Sequence, residues 1–192
     1  LTFSFLWFTY LGSQIGEDFI AANAILINLV FLSAFILDAY AFSTEGIVGY
    51  SLGKQDLNLF KTILKNSFIL SSLTGFIISI IYLFINEWVI NLMSDIAEIR
   101  SLSSSYAIWL IIMPFIASFC YQFDGIFIGV SQTKELRNAM IFSVTIYLII
   151  SIILTNFYSN TGVWISLCIF MILRALSLFY YMDKIFLRFN RN

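Results

Sequence analysis

The sequence has no histidine, one proline and two cysteines, and only 11% of its 192 residues are charged. The cysteines, Cys120 and Cys168, lie in separate apolar runs and form no CxxC pair, so nothing indicates a zinc site or a disulfide framework, and we expect both to be packing residues. The chain also lacks a GxSxG motif, a phosphate-binding loop and a cysteine beside a base. We therefore predict no enzyme activity, no metal, no organic cofactor and no nucleic-acid partner.

Hydrophobic residues, by contrast, make up 60% of the chain, including 21 phenylalanines. This composition is far from that of a soluble domain and indicates an integral membrane protein in contact with the lipid bilayer. The hydrophobic runs are long and continuous and do not alternate with period two over about ten residues, which favours helices over an outer-membrane barrel. The predicted fold class is all-α, a polytopic membrane helical bundle.

The apolar runs predict six transmembrane spans, at about 1–11, 20–50, 60–85, 106–130, 138–157 and 162–182. The first run reaches only ~16 Å of a ~30 Å bilayer core, so we interpret it as the end of a cut helix and the sequence as a C-terminal portion. Residues 12–18 are predicted to form a polar loop, and residues 91–105 a short interfacial helix. The second span would measure ~46 Å, so it must tilt, project or break, most readily at Gly46 or Gly49.

Basic residues are concentrated in alternate connectors and in the tail. By the positive-inside rule these segments are cytoplasmic, which puts both ends of the chain inside the bacterial inner (plasma) membrane. The tryptophans Trp7, Trp88, Trp109 and Trp164 are then expected in an aromatic belt at the opposite interface. The basic residues that carry this prediction are Lys54, Lys61, Lys65, Lys134, Arg137, Lys184, Arg188 and Arg191.

Four ionisable residues fall within predicted spans and toward the cytoplasmic half: Asp38, Glu45, Asp124 and Arg174. Each costs at least ~2.5 kcal/mol at mid-membrane, so each should face a partner or a wet cavity. Asp38 and Glu45 share one helix face, and Asp38 and Arg174 have similar depths, which makes them the natural ion pair. This pair has two open interpretations, a structural contact and a proton or cation site.

The acids have polar and aromatic neighbours. Asp124 precedes a Gly125–Gly129 GxxxG spacing that permits close helix packing, and Pro114 upstream is expected to open the helix to water. Aromatic rings beside the acids suit an amphipathic cationic ligand as well as ordinary membrane packing. The candidate cavity residues are Tyr40, Tyr121 and Gln122, with Phe42 and Phe123 as further aromatic neighbours.

Three stretches carry a family resemblance: IAANAILINLVFLSAFILDAYAFSTEGIVGYSLGKQD (20–56), YAIWLIIMPFIASFCYQFDGIFIGVSQTKELRNAM (106–140) and ILRALSLFYY (172–181). Together they resemble the C-terminal half of a MATE (multidrug and toxic compound extrusion) transporter, closest to its DinF-like branch. The resemblance implies one six-helix lobe of a twelve-helix protein, with its first helix truncated. The N-terminal lobe is then missing from the sequence and is its expected partner.

The resemblance also implies a function. MATE transporters expel amphipathic, often cationic small molecules by alternating access, driven by a proton or sodium gradient. Asp38, Glu45, Asp124 and Arg174 stand at polar positions of the DinF-like pattern. A sodium site in this lobe would need an acid in the first helix, and residues 1–11 contain none. Antiport with protons is thus expected rather than with sodium.

Two other functions stay open at this point. A flippase for lipid-linked oligosaccharide, from the same wider superfamily, would need a wide cationic groove for pyrophosphate, for which Arg174 is the one basic residue well inside a span. A non-transporting membrane scaffold, or a degenerate half, gives no reason for buried Asp38, Glu45 and Asp124.

Overall fold

The computed structural model describes residues 2–189, and they are almost entirely helical. In chain order the helices are α1 (Thr2–Ile15), α2 (Glu17–Gly53), α3 (Leu57–Met93), α4 (Ala97–Ser105), α5 (Ala107–Gly129) and α6 (Thr133–Phe189). No strand occurs among these residues, so the all-α prediction is confirmed. Helices α2, α3, α5 and α6 are each long and apolar enough to cross a membrane. The protein is a multi-pass helical membrane protein.

Helix α6 consists of two arms that meet at Ser159, whose φ of 52° and ψ of −134° are not helical. The first arm (133–158) and the second arm (160–189) pack side by side, since the rings of Tyr147 and Phe170 lie 5.2 Å apart and Lys184 pairs with Glu135. The predicted fifth and sixth spans fall on these two arms. With α2, α3 and α5 they make five long segments, to which the 14-residue α1 adds a shorter sixth, while α4 is the short helix expected within 91–105.

The connector between α1 and α2 is shorter than predicted. Instead of a loop over residues 12–18, α1 continues to Ile15 and α2 begins at Glu17, so that Gly16 alone is extended. The acids of the expected loop, Glu17 and Asp18, occupy the first turn of α2. They are favourable there because a helix N-terminus attracts negative charge.

Of the three alternatives predicted for the second span, a break at Gly46 or Gly49 does not occur, because α2 is continuous from Glu17 to Gly53. Its 37 residues measure about 55 Å, so the helix tilts or projects beyond the bilayer core. Gly49 serves helix packing instead: a Cβ built on it would lie 2.9 Å from the Gly129 carbonyl oxygen of α5. Gly125 and Gly129 are likewise packed against the α2 backbone, at Ala41 and Glu45, as the GxxxG spacing predicted.

The turn from α2 to α3 and the turn from α5 to α6 have the same form. In each, a residue with positive φ follows the helix end, Gln55 at 54° and Ser131 at 58°. The hydrogen bonds also match, since Gln55 and Ser131 donate their N–H to a carbonyl three residues back. The two turns lie at one end of the bundle, here called the turn end, and α4 lies at the other, the α4 end.

Helix α5 is central, because it packs against α2, α3 and α6. Apolar side chains form one large cluster around Phe8 and Trp164 toward the α4 end and another around Phe60 and Phe127 toward the turn end. Between them, Tyr121 of α5 packs on Ala34, Leu37 and Ala41 of α2. Polar residues in the middle of α5 are therefore enclosed by other helices.

Pro114 does not open α5 to water. The helix is continuous from Ala107 to Gly129, and Pro114 is buried. Its carbonyl is covered by Gly75 of α3, where an added Cβ would lie 2.8 Å from the oxygen. Because α3 approaches so closely, the expected exposure of backbone carbonyls at this point is wrong.

Candidate functional site

The centre of the bundle holds an ion pair between α5 and the second arm of α6. An Arg174 guanidinium nitrogen, Nη2, donates to Asp124 Oδ2 at 2.5 Å. Both side chains are enclosed, with 5% of Arg174 and 13% of Asp124 exposed. Such a pair is costly to bury unless further hydrogen bonds satisfy its remaining atoms.

The predicted pairing of Arg174 with Asp38 is wrong, because Arg174 pairs with Asp124. The reason is the helix order: α5 packs extensively on both α2 and α6, whereas α2 scarcely touches α6. The acid within reach of Arg174 is therefore Asp124 of α5. Asp38, half-buried on α2, nevertheless lies within electrostatic range of both Arg174 and Asp124. We call Asp38, Asp124 and Arg174 the charged cluster.

Several buried polar atoms of this region have no hydrogen-bond partner among residues 2–189. They are Oδ1 of Asp124, Nε and Nη1 of Arg174, and Nε2 of Gln122, two residues before Asp124 in α5. Buried polar atoms are normally paired with protein or with ordered water, so these atoms are available to bind a polar ligand, an ion or water. The charged cluster combines unused acceptors and donors with a net negative charge.

The predicted cavity residues Tyr40, Tyr121 and Gln122 differ in their contacts. The Gln122 side chain is fully buried and accepts a hydrogen bond from Thr44 at 3.0 Å. Tyr121 is buried within electrostatic range of Asp38, Asp124 and Arg174. The hydroxyl of Tyr40 instead accepts from Thr74 of α3 at 2.9 Å and is half-buried.

Glu45 is not brought into the charged cluster. Its backbone packs on Gly129 of α5, one turn beyond Asp124 toward the turn end. The ion pairs of residues 2–189 are Arg174–Asp124 and Lys184–Glu135, and Glu45 takes part in neither. Of the four acidic and basic residues singled out from the sequence, Arg174 and Asp124 are in contact, Asp38 lies within electrostatic range of both, and Glu45 lies apart.

A second buried polar group was missed in the sequence. Asn23 of α2 and Asn160 of α6 exchange two amide hydrogen bonds, at 2.6 and 3.0 Å, and Trp164 donates to Asn23 Oδ1 at 2.9 Å. We call these three residues the asparagine cluster. Trp164 is thus fully buried, and its placement in an interfacial aromatic belt is wrong. Asparagine inside an apolar run, at Asn23, was the available signal.

The geometry described above is that of a multi-pass helical membrane protein with charged residues enclosed between its spans. Comparisons with known proteins agree with this class. The family described as MatE matches residues 1–155. The chain is also 32% identical over 170 residues to the DNA damage-inducible protein F of Escherichia coli (strain K12), covering 88% of this chain and 37% of that relative. The chain belongs to the MatE family.

Two consequences of the comparison concern the site. The chain spans little more than a third of the length of the curated relative it matches, so it corresponds to one part of that protein. Asp38, Glu45 and Asp124 lie within the residues matched by the family, whereas Arg174 lies beyond them. The family confirms the MATE and DinF-like resemblance of the sequence.

Proposed function

We propose that the protein carries out secondary active efflux of amphipathic, cationic small molecules, by antiport against protons rather than sodium ions and with alternating access. In this proposal the chain forms the C-terminal lobe and works with an N-terminal lobe of the same transporter. It lies in the bacterial inner membrane with both ends cytoplasmic, in accord with the basic residues at the turn end. The proton gradient is the energy source, and no cofactor takes part.

The observation that carries the proposal is the incomplete pairing of the charged cluster. Asp38 and Asp124 together bring two negative charges and Arg174 one positive charge, which leaves one negative charge in the middle of the membrane. One proton or one monovalent cation neutralises it. Asp124 Oδ1 has no partner in residues 2–189, so a proton can bind there without displacing another contact.

The cluster also offers two arrangements of its ion pair. With Asp124 ionised, Arg174 binds it as observed. Protonation of Asp124 removes that attraction, and Asp38 is then the nearest acid in electrostatic range of the guanidinium. If the Arg174 side chain of α6 then moves from Asp124 on α5 toward Asp38 on α2, the packing of all three helices changes. Proton binding can in this way favour one access state over the other.

The alternatives receive less support. A flippase needs a basic groove open to a pyrophosphate, but Arg174 is enclosed and tied to Asp124. A scaffold without transport gains nothing from buried polar atoms that lack partners, since each such atom costs free energy. In the efflux proposal these atoms have a role, because Asp124 Oδ1 binds the coupling proton.

The direct test is Asp124→Asn in membrane vesicles loaded with a fluorescent lipophilic cation. We expect proton-driven efflux to fall at least tenfold, because an amide cannot bind and release the proton. The matched control is Glu45→Gln, an acid in the same bundle outside the charged cluster, which should stay within about twofold of the unmodified protein. Proton-driven efflux by Asp124→Asn at the unmodified rate would contradict the proposal.

A further inference from the structure

A pocket of about 500 Å³ lies at the turn end, between the start of α6 and the end of its second arm. We call it the basic pocket. Unlike the charged cluster it is open at the surface and lined mainly by polar side chains. Its lining residues are Ser131, Gln132, Thr133, Lys134, Glu135, Lys184, Leu187 and Arg188.

The charge of the basic pocket is positive. Lys134, Lys184 and Arg188 contribute three positive charges and Glu135 one negative charge, a balance of plus two. Two contacts hold its walls together: Lys184 binds Glu135 at 3.1 Å, and Arg188 donates to the carbonyl of Val130. Because these contacts join segments about fifty residues apart in sequence, the cations are held in one place by the fold.

The backbone adds further donors at the same point. Helix α6 begins at Thr133, and the N–H groups of its first turn have no carbonyl within the helix to bind. Helix N-termini with such free N–H groups are suited to anions, above all phosphate. Lys134, Lys184 and Arg188 line the pocket beside this helix start. Glu135 of the first turn is paired with Lys184, so the remaining positive charge and the helix end both favour an anion.

A lipid rather than a soluble anion is indicated by the surface next to the pocket. Leu176, Tyr180 and Leu187 share one face of the second arm with Lys184, at spacings of four, four and three residues. The three apolar side chains are 58%, 79% and 61% exposed. They form a stripe that leads from the basic pocket into the membrane-spanning part of the helix, as an acyl chain would run from its headgroup. Asp183 is exposed nearby but does not line the pocket.

From these observations we infer that the basic pocket binds the phosphate group of an anionic phospholipid, whose acyl chain lies along the Leu176–Tyr180–Leu187 stripe. Basic pockets between transmembrane helices at a membrane surface bind anionic headgroups in this way. The site is separate from the charged cluster, so lipid binding and ion-coupled transport are tested by different variants.

The test is native mass spectrometry of the purified protein with phosphatidylglycerol, and with phosphatidylcholine as the zwitterionic comparison. We expect selective retention of phosphatidylglycerol. Lys134→Gln and Lys184→Gln should each weaken it about fivefold, since each basic residue near an anionic lipid contributes on the order of fivefold in affinity. Lys184→Arg, unlike Lys184→Gln, should bind phosphatidylglycerol as well as the unmodified protein does, because it keeps the charge and the contact with Glu135.

The matched control is Lys54→Gln, which removes an exposed lysine from the corresponding α2–α3 turn and should leave phosphatidylglycerol binding unchanged. Circular dichroism of each variant checks that the helices persist. Equal retention of the two lipids, or equal weakening by Lys54→Gln and Lys134→Gln, would overturn the inference. Displacement of the lipid by millimolar inorganic phosphate would instead assign the basic pocket to a soluble phosphate and overturn the lipid assignment.

Discussion

Two groups of polar side chains are buried between the helices of this bundle, and they differ in how fully their hydrogen bonds are paired. In the asparagine cluster, Asn23 and Asn160 exchange two hydrogen bonds and Trp164 supplies a third. In the charged cluster, Asp124 and Arg174 share one, while other atoms of both lack partners in residues 2–189. A fully paired network fixes one arrangement of helices, whereas a partly paired one leaves room for an exchangeable ligand.

The two clusters also lie at different positions in the bundle. The asparagine cluster joins α2 to α6 beside Ser159, where the two arms meet at the α4 end. The charged cluster lies midway along α5, the helix that packs extensively against α2, α3 and α6. We infer that the first cluster holds the lobe together and that the second changes its pairing during transport. The following predictions separate these two roles.

The largest expected effect is that of Arg174→Met, which leaves the Asp124 carboxylate buried without its partner. Removing one member of a buried ion pair costs about 3–5 kcal/mol of stability. The free energy of unfolding in mixed micelles measures it. The double variant Asp124→Leu with Arg174→Met should recover most of that stability, because an apolar pair of similar volume tolerates burial, but it should not transport. Restored efflux in the double variant would contradict the assigned role.

A smaller effect is expected from Asn23→Leu, which removes all three hydrogen bonds of the asparagine cluster. Interhelical hydrogen bonds in membranes contribute ~0.6 kcal/mol on average, so the loss should be about 2 kcal/mol, again measured by unfolding in micelles. Efflux per folded molecule should change little. A tenfold loss of efflux at unchanged stability would show instead that this cluster takes part in transport.

The smallest effect is expected from Tyr40→Phe, since Tyr40 accepts one hydrogen bond from Thr74 and keeps its ring packing in the variant. Stability should fall by no more than ~0.6 kcal/mol. The concentration of lipophilic cation at half-maximal efflux should stay within about twofold. A much larger rise in that concentration would place the hydroxyl in the substrate cavity, as the sequence suggested.

The helical class could be predicted from the sequence, because long apolar runs are visible in one dimension, and the same runs made the ionisable residues within them easy to single out. The sequence did not predict that Arg174 pairs with Asp124, since the pairing depends on α5 lying between α2 and α6. It also did not decide whether α2 breaks at Gly46 or Gly49 or stays continuous, for a similar reason. A glycine that bends a helix and one that admits a neighbouring helix look the same until the neighbour is known.

The burial of Trp164 was hidden for the same kind of reason. A tryptophan near a span end is usual at a membrane interface, but the asparagine cluster gives this one a buried acceptor in Asn23. Asn160 lies between the fifth and sixth predicted spans, and its partner Asn23 lies 137 residues away in the chain. Such long-range polar pairs leave no local pattern.

The most direct test of the central claim is the number of protons released when a lipophilic cation binds to the purified protein in weakly buffered solution. If the charged cluster exchanges a proton for the substrate at Asp124, the unmodified protein releases protons on binding and Asp124→Asn releases none. Glu45→Gln should release as many as the unmodified protein. Proton release by Asp124→Asn equal to that of the unmodified protein would contradict the account.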